Sequence, residues 1–447
     1  QAPAMVRIGM LYRGKSAWSP VFYYSALPRI AAFACSWVRR HSCLMLPVAL
    51  KSRELRKLLF AQLPADFADW LDFVAIGTLL AFVWKAPSYA YAFLAVGMGA
   101  PYLIVGPFAG ALVDRLPIRT VLFWSNLGRA LATGALFFAD SWVVLICLVA
   151  VRASVDTFFT PAKQAAIQAL TTADDRASAN GLSHGINQAS KIVAPGAGGT
   201  FLIWFAPALI FVINAMISFS AAMLCLRLKE IERDENHRKS EEIGLWSEVR
   251  EGLAYVRSQV VVRTVLLMMA AIYFAMFIYD TFIAPLARDL AFEQQHLGYA
   301  LAAVGAGGVV GSIVFSFLPE LRKPQRWIAV GTFVGGAMLL TLGMFDLLNA
   351  SMRLQVFILL FLVLGLTSAM AVIPVRIILQ NSVLPDRMGS VAALSEAANT
   401  LALLTAPFVG ALLVGLFSVG APFTVGGFIL LFAAIVISRL DLAPSKR

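Results

Sequence analysis

Charge is scarce in this sequence. Asp, Glu, Lys and Arg make up 14% of 447 residues, while 60% of residues are hydrophobic and the mean hydropathy is +0.79. A soluble domain carries about 25% charged residues, so a soluble enzyme of this size is excluded. Histidine and cysteine are also rare, at four each. His41, His184, His237 and His296 are scattered, and Cys35, Cys43, Cys147 and Cys225 show neither CxxC nor Cys/His spacing. Neither a metal site nor a disulfide framework is indicated, and Cys147 and Cys225, inside apolar runs, read as core thiols. The GxxxxGK[ST] phosphate loop and the HExxH pair are missing as well. No enzyme activity and no cofactor are expected.

What abounds is long apolar runs. A helix crossing the roughly 30 Å hydrocarbon layer needs about 20 residues, and such runs recur from residue 58 to residue 439. With loop breakers and charges as boundaries, spans are expected at 58–82, 88–112, 119–139, 141–169, 178–203, 205–227, 262–288, 295–318, 326–347, 353–380, 390–417 and 420–439. The fold class is therefore an all-α integral membrane protein of twelve transmembrane helices.

The net charge of +11 gains meaning from its position. Lys and Arg near span ends stay on the cytoplasmic side. With the N-terminus inside, 28 of the 36 fall on cytoplasmic segments, three (Lys85, Arg288, Arg353) on the opposite side and five within spans. Both termini are thus expected in the cytoplasm, and the basic pI needs no nucleic acid as a partner. Residues 1–57 form a basic cytoplasmic segment with no run long enough to span, and Met45 is an alternative start. Residues 26–38 lack the small-residue cleavage site of a signal peptide.

Repeats organise the rest. Pro161, Lys163, Asn187, Pro195 and Gly198 recur as Pro374, Arg376, Asn399, Pro407 and Gly410, offset by 212 or 213 residues. The chain reads as two parallel six-helix repeats, 58–227 and 262–440, followed by a tail at 441–447. They are joined by a cytoplasmic connector, 228–261, in which Leu245, Val249, Leu253 and Val256 mark a short amphipathic helix.

Parallel six-span repeats with the substrate site between halves are a transporter arrangement. The loop Gly110-Ala-Leu-Val-Asp114-Arg115-Leu-Pro-Ile-Arg119 resembles the GxxxD(R/K)xGRR signature of the major facilitator superfamily, with Pro117 and Ile118 where the family has less apolar residues. The resemblance implies a conformational latch built from Gly110, Asp114, Arg115 and Arg119. Gly185, followed by Ala194-Pro195-Gly-Ala-Gly198-Gly199, looks like the family's antiporter motif with Ala194 in place of a glycine. Proline bends a helix and glycine lets helices approach closely, so Gly185, Pro195, Gly198 and Gly199 suit a hinge. Phe158-Phe-Thr-Pro161-Ala-Lys, Ala179-Asn180-Gly-Leu182, Phe67-Ala-Asp69-Trp70-Leu and Asn126-Leu-Gly-Arg129-Ala resemble the drug and siderophore exporter branch, which includes macrolide efflux proteins and the enterobactin exporter. The Pro-Ala-Lys and Ala-Asn-Gly-Leu stretches are also similar to bacterial lysophospholipid transporters.

Ionisable groups at membrane depth cost about 2.5–3.5 kcal/mol each, so the deep ones are functional candidates. At about 1.5 Å per residue, Asp69 lies roughly 17 Å into its span, flanked by Asp66 and Asp72. Arg129, Arg152 and Lys191 are similarly deep. Arg152 and Asp156 share a helix face as an i, i+4 pair, which is either a fixed structural pair or a device for tuning carboxylate proton affinity. Asp69, with no cation within a turn, is the first proton-coupling candidate, ahead of Asp66, Asp72, Arg152 and Asp156. Trp70, Phe73, Arg129, Lys191, Tyr273 and Phe277 are candidates for a substrate cavity. The reading is a proton-coupled exporter of small amphiphilic molecules in a bacterial cytoplasmic membrane, with protons and membrane lipid as further partners. A lysophospholipid carrier is the alternative, and a membrane-embedded lipid-modifying enzyme a remote third.

Overall fold

The computed structural model describes residues 52–113, 115–230, 253–316, 324–384 and 387–439. Its elements are α1 Arg53–Thr78, extended by a π-helical turn Leu79–Val83, then α2 Ser88–Ile104, α3 Gly106–Val113, α4 Ile118–Leu136, α5 Trp142–Asp156, α6 Phe159–Leu170, α7 Ala173–Phe201 and α8 Pro207–Cys225. After the connector come α9 Val260–Asp280, α10 Ile283–Asp289, α11 Gln294–Ser316, α12 Pro324–Leu347, α13 Leu354–Ser382, α14 Met388–Leu416 and α15 Ala421–Arg439. Among the described residues no strand occurs. The basic N-terminal segment up to residue 51, Asp114, most of the amphipathic connector helix and the C-terminal tail lie outside the described residues.

Local chemistry sets the helix ends. Ser52 accepts a hydrogen bond from the Leu55 N–H at 3.2 Å, capping α1, and Ser141 does the same for Val144 at 3.5 Å ahead of α5, since a cap oxygen satisfies a donor that the helix itself cannot. Pro207 opens α8, where its missing N–H costs nothing. The runs expected as unbroken helices at 88–112, 141–169 and 262–288 are each interrupted. Two of the breaks, at Thr157 and Thr281, fall four residues before Pro161 and Pro285. Proline cannot donate to the carbonyl four residues back and its ring crowds it, so the helix turns there.

Among the described residues, eight helices are long and apolar enough to cross a membrane: Trp142–Leu170 and every long helix from α8 to α15. The other four expected spans, 58–82, 88–112, 119–139 and 178–203, are helical but do not meet that criterion. Ser88–Ile104 has only 17 residues. Helices α1, α4 and α7 are apolar only in part, because one face of each carries polar side chains.

The helices fall into two sets with one packing plan. In the first, α1 packs on α7 and α8, α4 on α8 and α5, and α2 on α5. In the second, α9 packs on α14 and α15, α12 on α15 and α13, and α11 on α13, the same pairings one repeat later. The sets meet through α7 against α11 and α2 against α14, which exchange roles between the sets. Large apolar side chains point outward, with Phe138 79% exposed and Phe108 73%, an arrangement that lipid tolerates and water does not. Cys225 is buried, but Cys147 is exposed. The reading of Cys147 as a core thiol is therefore corrected: it sits on an outward face of α5.

The sets close tightly at one end. The Arg288 Nη1 donates to the Ala81 carbonyl at 3.0 Å, and the Gln294 Nε2 donates to the Leu202 carbonyl at 3.1 Å. The Ala81 acceptor lies in the π-helical turn. Gly199 and Gly298 back onto each other: a Cβ on Gly298 would stand 2.4 Å from the Pro195 carbonyl oxygen, and one on Gly199 would stand 2.6 Å from that of Gln295. Only glycine fits at this crossing. Near the opposite end, a Cβ at Gly110 or Gly185 would meet no neighbour within 4 Å.

Candidate functional site

The polar faces of α1, α4, α5 and α8 turn toward one another inside the first set. Arg129, fully buried on α4, bridges Asp69 and Asp156, the latter with Nη1 at 3.2 Å from Oδ1. It also donates to the Ala65 carbonyl at 3.0 Å. Arg152 reaches across to α1, with Nη2 at 2.7 Å from Asp69 and Nε at 2.8 Å from Asp72. Asp72 further accepts from Asn214 on α8 and from Thr133 at 3.3 Å. Lys163 lies 3.9 Å from Asp66, which accepts from Gln62 at 2.7 Å, and Gln62 is held by Ser183 of α7. Phe159 lies beneath both Arg129 and Lys163, 5.3 and 5.2 Å from its ring centre.

These contacts offset the cost of burying seven charges. Each alone would be expensive at this depth, and mutual pairing is what makes their burial tolerable. The balance is uneven: among the described residues, Asp66, Asp69, Asp72 and Asp156 form ion pairs only with Arg129, Arg152 and Lys163. The carboxylate side chains also differ in access. Asp69 is 29% exposed and Asp156 14%, while Asp66 and Asp72 are each 2%. The carboxylate that touches both arginines is the one solvent reaches most easily.

A cavity of about 340 Å³ adjoins this network, lined by Phe73, Met98, Tyr102, Asp280 and Leu403 among others. Its wall comes from α1 and α2 of one set and α9 and α14 of the other. Tyr102 belongs to both features, since its hydroxyl donates to Asp156.

The structure brings Asp66, Asp69, Asp72, Arg129, Arg152 and Asp156 together, but not in the pattern expected. Asp69 is not free of cations. Two arginines from 60 and 83 residues away reach it, a tertiary pairing that spacing along one helix cannot reveal. Arg152 and Asp156 form no ion pair within 4 Å among the described residues: Arg152 leans to Asp69 and Asp72, and Arg129 takes Asp156. Phe73 lines the cavity. Trp70 lies under Lys191, whose Nζ is 4.9 Å from its ring centre. Arg129 is locked in the network, while Tyr273 stacks on Phe277 and receives Arg376 at 3.3 Å, away from the cavity wall. Pro195, Gly198 and Gly199 sit at the crossing of α7 on its neighbours, and Gly185 faces open space. Of the loop motif, Gly110, Arg115 and Arg119 are described and Asp114 is not. Sequence reasoning missed Tyr102, Asn214 and Asp280. The last had a signal, a carboxylate deep in the apolar run that begins at 262.

Two like-built sets of long apolar helices, a cavity between them and a charge network beside it define an integral membrane protein of the transporter kind. The chain belongs to the Major Facilitator Superfamily, which it matches over residues 58–394. It is 27% identical over 410 residues to the uncharacterised MFS-type transporter YfiS of Bacillus subtilis, covering 90% of this chain and 96% of that one. It is 23% identical to macrolide efflux protein A of Streptococcus pyogenes, covering 76% and 86%. The crystal structure of the nucleoside transporter NupG superposes with a TM-score of 0.69 at 12% identity, covering 87% of this chain and 100% of that chain.

Proposed function

We propose that this transporter exports small amphiphilic molecules in exchange for protons, by alternating access, from a bacterial cytoplasm. The observation that carries the reading is the uneven charge network: four carboxylates held by three cations leave room for one proton, and Asp69 is the carboxylate water reaches best. Protonation of Asp69 weakens its hold on Arg129 and Arg152. Arg129 also grips Asp156, and Asp156 is tied to the cavity wall through Tyr102. Proton occupancy and cavity occupancy therefore act on one set of contacts, which is what exchange requires. With both termini cytoplasmic, as the charge distribution expects, the tight end marked by Arg288 and Gly298 is the outer face and the structure is an inward-facing state. The loop Gly110 to Arg119 then acts as the cytoplasmic latch, and Gly185 to Gly199 as the flexing element. The similarity to a macrolide efflux protein supports the direction of transport and the amphiphilic substrate class.

The test is uptake into inverted membrane vesicles of a panel of amphiphiles, with the pH gradient imposed and then collapsed. Gradient-dependent uptake is expected. Uptake of lysophospholipid that ignores the gradient would replace this reading with that of a lipid carrier.

A further inference from the structure

The cavity between the sets carries an ionic group without a hydrogen-bond or ion-pair partner among the described residues. Asp280, the last residue of α9, lines the 340 Å³ cavity and also the narrower pocket beyond it, formed by Tyr91, Ile283 and Leu297. Among the described residues its carboxylate makes no hydrogen bond and no ion pair within 4 Å. The neighbouring Thr281, on the same wall, has a buried hydroxyl with no hydrogen-bond partner. Lys191 exerts a Coulombic pull on it, but the Lys191 ammonium sits over the Trp70 ring and Lys191 is not among the residues that line the cavity. An unpaired, half-buried carboxylate on an apolar cavity wall, next to a buried unsatisfied hydroxyl, is unfavourable. Groups left in that state face something that is to be bound.

The rest of the wall describes the shape of that ligand. Phe73, Met98, Leu103 and Leu403 are apolar, and Tyr102 adds an aromatic ring. Aromatic faces attract cations, and a largely apolar pocket of this size with a few fixed polar groups is the usual form of a small-molecule site. We infer that Asp280 is a charge-selecting anchor for lipophilic organic monocations, with Phe73 and Tyr102 holding the apolar body and Thr281 supplying a hydrogen-bond contact. The inference names the substrate class of the export reading and rests on that reading only for the direction of movement, because binding is measured without transport.

The probe is tetraphenylphosphonium, set against tetraphenylborate, which has the same shape and the opposite charge. Both are titrated onto the purified full chain in lipid nanodiscs, with empty nanodiscs subtracted. The wild type is expected to bind the phosphonium more tightly than the borate. Asp280→Asn is expected to weaken phosphonium binding by about tenfold, which corresponds to about 1.4 kcal/mol, and to leave borate binding equal or stronger. Asp280→Glu keeps the preference. Equal phosphonium affinity in wild type and Asp280→Asn overturns the assignment. So does a wild type that prefers the borate, a comparison that stands even if Asp280→Asn does not fold. Intact phosphonium selectivity without gradient-driven transport would instead count against the export reading and leave the anchor in place.

Discussion

Neutralising Asp69 separates the two jobs of the charge network. In the wild type Asp69 bonds Arg129 and Arg152 at once. Asp69→Asn leaves three carboxylates facing three cations, so the network stays balanced but has no proton to exchange. Moving one proton down a difference of one pH unit releases about 1.4 kcal/mol, which sustains a substrate ratio of about tenfold when one monocation is exchanged per proton. Reconstituted wild type is expected to reach that ratio, and Asp69→Asn to settle near unity while still exchanging labelled for unlabelled substrate. Arg129→Gln is the contrasting change. It strips Asp156 of its cation and leaves four carboxylates to two cations, and uncompensated buried charge of this kind costs about 3–5 kcal/mol. Thermal unfolding of the purified proteins should therefore place Arg129→Gln well below the wild type and Asp69→Asn close to it. An Asp69→Asn protein that still builds a tenfold ratio removes Asp69 from the coupling, and an Arg129→Gln protein as stable as the wild type refutes the account of the network.

Two further outcomes follow from the packing and the charge distribution. Gly298→Ala places a Cβ 2.4 Å from a backbone carbonyl at the α7–α11 crossing, so the closed end is expected to open. Spin-label distances across Ser88 and Gly415 should lengthen relative to wild type, and unchanged distances would show that the crossing yields cheaply. Single cysteines at Lys239 and at Ser88, in a background without other cysteines, are expected to react with an impermeant thiol reagent only from the cytoplasmic and only from the outer side respectively, and the reverse pattern inverts the topology.

Most of the fold was legible because a bilayer imposes length and apolarity on each run, and those are properties of contiguous sequence. The packing plan was foreshadowed by the recurrence of Pro161, Asn187 and Gly198 as Pro374, Asn399 and Gly410. The breaks at Thr157 and Thr281 were also encoded, in Pro161 and Pro285, but a hydropathy pattern sees a proline in an apolar run and no turn. The network was half legible. Depth alone drew attention to Asp69, Arg129 and Arg152, whereas their pairing depends on which helix faces which. An i, i+4 reading could match Arg152 only with Asp156, when its partners lay on α1, about 80 residues earlier. Asn214 and Tyr102 carry no charge and stood out from nothing until the helices were placed around them.

The same network orders the birth of the protein. As a nascent segment α1 presents Asp66, Asp69 and Asp72 to the translocation machinery at about 2.5–3.5 kcal/mol each near a helix centre, and it is not among the helices apolar enough to enter lipid by composition. Its counter-charges arrive only when α4, α5 and α6 have been synthesised. Helix α1 is therefore a poor solitary passenger in lipid, and the arginines that make its burial tolerable, Arg129 and Arg152, lie in sequence still to be made.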